Sequence, residues 1–511
     1  MHPARGADNL GAHPFPTKPP MTTIDPTAVP SAATRLGDMP AEEFRRHAHA
    51  VVDWMADYLA DAESYPVLSR VQPGEVAAQL AAHPPAQGED FEKVLDDFER
   101  VIVPGITHWN HPGFHAYFAV TGSAPGIMGE MLAAALNVNA MLWRSGPAPT
   151  ELEERTLDWL RQMIGLPEGF RGTIHDTAST STLVAIATAR ERAAPGVRER
   201  GMSGLAPMRV YASEHVHSSI DKACITLGLG MQGLRKIPTD AEFRMDPAAL
   251  EAAIEEDRAA GILPICVVPT VGTTSIASID PLPAVAEVCR RQGLWMHVDA
   301  AYGGPAAAVP ELRWILDGAG EADSVVVNPH KWLFTPIDIS ALYLRDPAAT
   351  RRAFSLVPDY LVTPEGESVT NLMDYGPALG KRFRALKLWM VLRYFGAEGM
   401  AARIREHVRL AQQLAERMED EPGWEVMAPV PFSLVVFRHA PDGLDDAETD
   451  AHNERILAAV NATGRAFISH TRVRGRIALR LAIGNLGTTE AHVRAAWDLL
   501  RQTAASVRAS A

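Results

Sequence analysis

Between about Pro125 and Arg384, short apolar runs alternate with helical segments, and this alternation limits the fold more than any other feature of the chain. The runs Met208–Ser213, Ile265–Thr270, Leu294–Asp299, Ser324–Asn328 and Ala341–Leu344 read as strands. Most follow a helical segment and are apolar on both faces. Strands of that kind belong in a mostly parallel sheet covered by helices, the α/β class. Ligands of such sheets bind beyond the carboxyl ends of the strands. The polar residues that close these runs are therefore the first place to look for chemistry.

Residues 1–37 are rich in Pro, Ala and Thr, lack an apolar period and read as a disordered tail. Phe44, Ala48, Val51, Met55 and Leu59 recur at helical spacing, as do Phe91, Val94, Leu95, Phe98 and Ile102. These helices, in a segment spanning 38–123, have no sheet of their own to cover, and a second copy of the chain would serve. After Lys387 a long helical stretch runs to about Asp420. The strand-like segments Phe432–Arg438, Ala466–Val473 and Arg476–Ala482 then alternate with helices. A small C-terminal α+β domain at 386–511 is thus expected behind a large domain at 124–385.

The formal charge, 48 − 62 = −14, argues against a nucleic-acid surface or an anionic membrane as partner. No apolar run approaches the roughly twenty residues of a membrane span, and the first residues lack the apolar core of a signal peptide. Cys224, Cys266 and Cys289 show no pairing pattern and read as reduced thiols. A cytoplasmic protein acting on a small molecule is expected.

Asp299 closes the run Trp295-Met-His-Val-Asp, and Lys331 stands in Asn328-Pro-His-Lys-Trp-Leu directly after Ser324-Val-Val-Val. A lysine at the mouth of a buried strand is costly unless its amine is used. Together the two suggest pyridoxal phosphate (PLP), with Lys331 as Schiff-base lysine and Asp299 keeping the pyridine nitrogen protonated. Taken singly, a solvated loop lysine and a helix-capping aspartate read the same way. Asp176-Thr-Ala-Ser-Thr-Ser-Thr has the form of a helix N-terminus that receives a phosphate, although an ordinary N-cap has that form too. In Ser213-Glu-His-Val-His-Ser-Ser an imidazole could stack on the ring and act as an acid or base. Gly228, Gly230 and Gly233 spell G-x-G-x-x-G, but they follow a helix and precede a strand, the reverse of the dinucleotide order. His108, His111 and His115 are broken by Pro112 and Gly113 and have no acid or cysteine beside them, so no metal site is expected.

From about Glu42 to the C-terminus the chain resembles the group II PLP-dependent decarboxylases, most closely the aromatic-L-amino-acid decarboxylases. The resemblance is carried by Pro104-Gly-Ile-Thr-His-Trp, His297-Val-Asp-Ala-Ala-Tyr, Asn328-Pro-His-Lys-Trp and Leu379-Gly-Lys-Arg-Phe-Arg-Ala-Leu-Lys. It implies the fold type I architecture and an obligate homodimer with swapped N-terminal helices. It also implies that Lys331 and Asp299 hold the roles above and that His217 stacks on the cofactor. Thr177, Ala178 and Ser179 take the phosphate-loop positions, and Thr270, Ala301, Asn328 and His330 match further cofactor contacts. Tyr360 corresponds to the tyrosine of a mobile catalytic loop that returns a proton to Cα, after an external aldimine loses carbon dioxide to a quinonoid. A phenylalanine there accompanies aldehyde-forming relatives, so the tyrosine favours simple decarboxylation.

For the substrate pocket the resemblance points to Trp109, Tyr117 and Phe118, to Met141 in place of a phenylalanine from the partner subunit, and to Gly380. The expected reaction is decarboxylation of an aromatic L-amino acid of the tryptophan, tyrosine, dihydroxyphenylalanine or phenylalanine type. An apolar lining disfavours glutamate, whose side-chain carboxylate would lack a cationic partner. An aromatic aldehyde synthase or a glutamate-type decarboxylase of the same family, or a non-catalytic PLP-binding protein, are the alternatives.

Overall fold

The computed structural model describes residues 37–358 and 361–509. Tyr360, and all of the segment 1–37 but Gly37, lie outside the described residues. The chain divides after Asp57 into two units. The first contains most of the helix Ala41–Ala60, which carries Glu42 and Glu43 in its first turn, where the helix dipole favours acidic groups.

In the second unit a seven-stranded sheet is built from β1 (Arg171–His175), β2 (Met208–Ser213), β3 (Leu234–Ile237), β4 (Leu263–Val268), β5 (Trp295–Asp299), β6 (Ser324–Val327) and β7 (Ser340–Leu344). Its order is β1-β7-β6-β5-β4-β2-β3. Only β7 runs against its neighbours; the pairs β6–β5, β5–β4, β4–β2 and β2–β3 are parallel. This is the mostly parallel, helix-covered sheet of fold type I. Because β7 is antiparallel to both β1 and β6, β1 points the same way as β6. The carboxyl ends of β1, β2, β4, β5 and β6 therefore share one edge.

Every residue of β5, β6 and β7 is buried, which explains why these strands read as continuous apolar runs. The edge strands β1 and β3 lack that signature, and the apolar pattern alone does not reveal them. In β1 the sequence Arg-Gly-Thr-Ile-His is interrupted by Gly172, where a Cβ would stand 2.9 Å from Leu157 Cβ and 3.1 Å from a Tyr343 ring carbon.

The helix Ala178–Ala193 lies on this sheet with Ser181, Thr182 and Val184–Ala189 buried. Two polar contacts fix it there: Ser181 Oγ with Ser340 Oγ at 2.9 Å, and Thr182 Oγ1 with His297 Nε2 at 3.2 Å. The long C-terminal helix, Ala385–Glu419, is broken at Gly396, whose φ of 67° is left-handed. The segment after Asp90 forms the helix Phe91–Asp97 and then a π turn, Phe98–Ile102. Toward the C-terminus, β8 (Trp424–Val426), β9 (Leu434–His439), β10 (Ser469–Val473) and β11 (Arg476–Ala482) form an antiparallel sheet of order β10-β11-β9-β8. No described helix is long and apolar enough to cross a membrane.

Candidate active site

The shared carboxyl edge collects most of the residues singled out from the sequence. Asp299 ends β5 and is buried, with one carboxylate oxygen accepting the Ala301 backbone N–H at 3.1 Å. Asp299 and Thr270 form an isolated bridge, and Asp280 accepts the Thr270 N–H at 2.8 Å. Asn328 follows β6 and caps the single turn Pro329–Trp332, which carries His330 and Lys331. His330 Nδ1 accepts the Ile339 N–H at 3.1 Å.

Burial pushes the Lys331 ammonium below its usual range, and the Asp299 charge opposes that shift. An amine in that setting is available as a nucleophile. His217 stands after β2, where burial first and the Lys331 charge second lower its imidazole, with Asp299 opposing. Its Nδ1 accepts the Ser219 backbone N–H at 3.1 Å. The neutral ring therefore carries its proton on Nε2. Thr177 is the N-cap of the helix Ala178–Ala193, and its side chain makes no capping bond. The first amides of that helix, at Ala178 and Ser179, open at the same edge.

Buried polar atoms are normally paired. Here Thr270 Oγ1 and Asn328 Oδ1 are buried without a partner. A half-buried amine, a buried carboxylate, two unpaired oxygens and a helix N-terminus on one sheet edge fit a phosphorylated heterocycle that bears an aldehyde.

Residues 73–440 match the pyridoxal-dependent decarboxylase conserved domain. The chain belongs to the pyridoxal-dependent decarboxylases. It is a PLP-dependent amino-acid decarboxylase of group II, and its cofactor is pyridoxal phosphate. The chain is 38% identical to phenylacetaldehyde synthase of Arabidopsis thaliana, covering 92% of this chain and 97% of that one. It is 39% identical to a tryptophan decarboxylase of Camptotheca acuminata, covering 95% and 99%. The solved structure of Oryza sativa TDC with PLP and tryptamine superposes with a TM-score of 0.90 at 38% identity, covering 92% of this chain and 99% of that one.

In the decarboxylase an aromatic ring lies beside Lys331. Its Nζ lies 5.6 Å from the ring centroid of Phe118. Phe118 stacks on Tyr302 at 3.6 Å, and Tyr302 on Trp332 at 5.0 Å. Trp109 stacks on Phe114 at 4.3 Å and on Tyr117 at 5.9 Å, with Phe467 edge-on to Phe114 and Tyr117. Met141 packs on the small cluster Leu142, Leu361 and Met373, and Asn139 Nδ2 lies 3.9 Å from the position of a Cβ on Gly380.

Three residues of this region carried no assigned role in the sequence analysis. Tyr302 and Trp332 complete the stack beside Lys331. Arg480, in β11, is buried with its guanidinium 5.6 Å from the Phe118 centroid. A cation therefore stands beside the aromatic wall, where the sequence reading placed none. Its donors are engaged: Nε with the Ser275 carbonyl at 3.0 Å, and the terminal nitrogens with Ser469 Oγ at 2.7 Å and the Thr274 carbonyl at 2.7 Å. The signal was a lone arginine inside the apolar run Ala478-Leu-Arg-Leu-Ala.

Proposed function

We propose that this enzyme decarboxylates an aromatic L-amino acid, of the tryptophan, tyrosine, dihydroxyphenylalanine or phenylalanine type, to the amine and carbon dioxide. The observation that carries the reading is the Phe118–Tyr302–Trp332 stack beside the Lys331 amine, an apolar wall within reach of the reacting centre. The named relatives act in the same chemical range, with a tryptophan decarboxylase among them.

In this reading Lys331 would hold the cofactor through its side-chain amine. Asp299 would pair with the ring nitrogen, Thr177, Ala178 and Ser179 would receive the phosphate, and Asn328 would make a further cofactor contact. Thr270, Ala301 and His330 line the ring pocket. When bound, pyridoxal phosphate supplies an electron-accepting ring for the pair released with carbon dioxide. His217, with its Nε2–H free, would lie against the ring, and Tyr360, helped by His217, would return a proton to Cα. Trp109, Tyr117 and Phe118 receive the substrate ring.

The Met141–Gly380 patch would complete the pocket of a second copy, making the enzyme a homodimer. The exposed row Met128, Met131, Leu132 and Leu136 on the helix Ala124–Leu136 supports such an association. Free, buried Cys224, Cys266 and Cys289 fit a reducing cytoplasm.

Aldehyde synthesis is the second reading, favoured by the likeness to phenylacetaldehyde synthase. To decide, the PLP-loaded protein is given tryptophan, tyrosine, dihydroxyphenylalanine, phenylalanine and glutamate separately, and products are identified by mass. Aromatic amines support the proposal; their absence with all four aromatic substrates overturns it.

A further inference from the structure

A buried acid and a buried base lie outside the chemistry described above. Glu153, on the helix Pro147–Met163, and Lys381, beside Gly380, are 4% and 9% exposed. They bond the two main-chain groups of one residue. Glu153 Oε1 accepts the Ile174 N–H at 2.8 Å, and Lys381 Nζ donates to the Ile174 carbonyl at 2.6 Å. Ile174 belongs to β1, the edge of the sheet, so these groups have no neighbouring strand to bond. Two residues later the chain enters Asp176–Ser179, the proposed phosphate loop.

Lys381 is tied on its other side as well. Its N–H donates to Asn139 Oδ1 at 3.0 Å, and its carbonyl accepts the Ala140 N–H at 2.8 Å. Asn139 Nδ2 in turn reaches Met141 Sδ at 3.5 Å. One residue thus joins the strand that feeds the phosphate loop to the turn that carries Met141, and it adjoins Gly380 in the chain.

We propose that Lys381, seated by Glu153, is a positioning residue that fixes the phosphate loop and the Met141–Gly380 wall in a common frame. The inference rests on the reading that Met141 and Gly380 line a substrate pocket. A cap on the sheet edge would need only the bond to Ile174. The backbone bonds to Asn139 and Ala140 are what extend the clamp to the pocket wall.

The test uses the full chain with Lys381→Met, Lys381→Arg, Asn139→Ala and Gly380→Ser. Two quantities are read: PLP affinity, by fluorescence titration of cofactor-freed protein, and the ratio of kcat/KM for tryptophan to that for tyrosine. Lys381→Met should weaken PLP binding about tenfold, as the loss of a buried charged hydrogen bond does, and shift the ratio. Lys381→Arg should restore most of both. Asn139→Ala, which leaves the Ile174 clamp intact, should shift the ratio and leave PLP affinity unchanged. An unchanged PLP affinity in folded Lys381→Met overturns the inference. A shifted ratio in Gly380→Ser with an unchanged one in Asn139→Ala also overturns it, leaving the pocket reading in place. An unchanged ratio in both overturns the pocket reading and the inference with it.

Discussion

Ser219 gives its backbone N–H to His217 Nδ1 at 3.1 Å, and that bond decides which nitrogen of the neutral imidazole keeps its proton. With Nδ1 accepting, Nε2 carries the proton in the neutral ring. The Ser219 hydroxyl lies 2.9 Å from the same Nδ1 but is not required for this, because the main chain already fixes the tautomer. Ser219→Ala should therefore leave kcat nearly unchanged. His217→Gln should lower it roughly a hundredfold, the usual worth of a positioned acid or base, while the bound-cofactor absorbance persists. Steady-state kinetics beside an absorbance spectrum check both. Retention of half the activity in His217→Gln would remove the proposed role. Burial and the Lys331 charge also lower the His217 value, so its acid limb should fall below pH 6.5 in kcat/KM.

Acid should unfold this protein through its buried histidines. Burial pushes His115, His297, His330, His407 and His439 down to about 4 from an ordinary 6.5. Between those values the unfolded chain binds more protons than the folded one, so stability falls as pH drops from 6.5 toward 4. Thermal melts at pH 7.5, 5.5 and 4.5 (about those settings) should show a declining Tm. A flat series would contradict the neutral, buried state of these rings.

Arg480 holds the Thr274 and Ser275 carbonyls together beside Phe118. Arg480→Met would take the donor away from those half-buried carbonyls, at about 1 kcal/mol each. It would also free the Phe118 ring. A lower Tm and a raised KM for the aromatic substrate are expected, and Arg480→Lys should recover only part, lacking the planar fork. An unchanged KM in folded Arg480→Met would show that the guanidinium does not shape the wall.

How much of this was readable in the sequence followed from burial. Strands β5, β6 and β7 are buried on both faces, so their residues had to be apolar and stood out. Lys331 and Asp299 stood out as charges at the ends of such runs. The edge strand β1 did not, because the side chains of Glu153 and Lys381, distant in sequence, bond its outer groups. Arg480 was hidden for a related reason. Its partners are carbonyls of the 274–275 loop and the hydroxyl of Ser469, and carbonyls leave no mark in a sequence. Gly396 likewise breaks a helix whose apolar spacing reads as continuous.

Gly129 marks where the helix Ala124–Leu136 meets the helix Ala385–Glu419. A Cβ there would lie 2.6 Å from Lys387 Cα, a backbone atom that cannot step aside. Gly129→Ala should destabilise by about 1–3 kcal/mol, as overpacking does, read as a shifted midpoint in a urea titration. A midpoint matching the unaltered protein would mean the helices separate at no cost.

This decarboxylase is proposed to carry an aromatic amino acid to its amine and to stop there. The most direct measurement follows carbon dioxide, amine, ammonia and peroxide together in a single assay on the aromatic substrate it turns over fastest. Amine appearing one for one with carbon dioxide is the predicted result, stated as a ratio of about one from the reaction's own balance. Ammonia and peroxide rising with carbon dioxide in place of amine would contradict it.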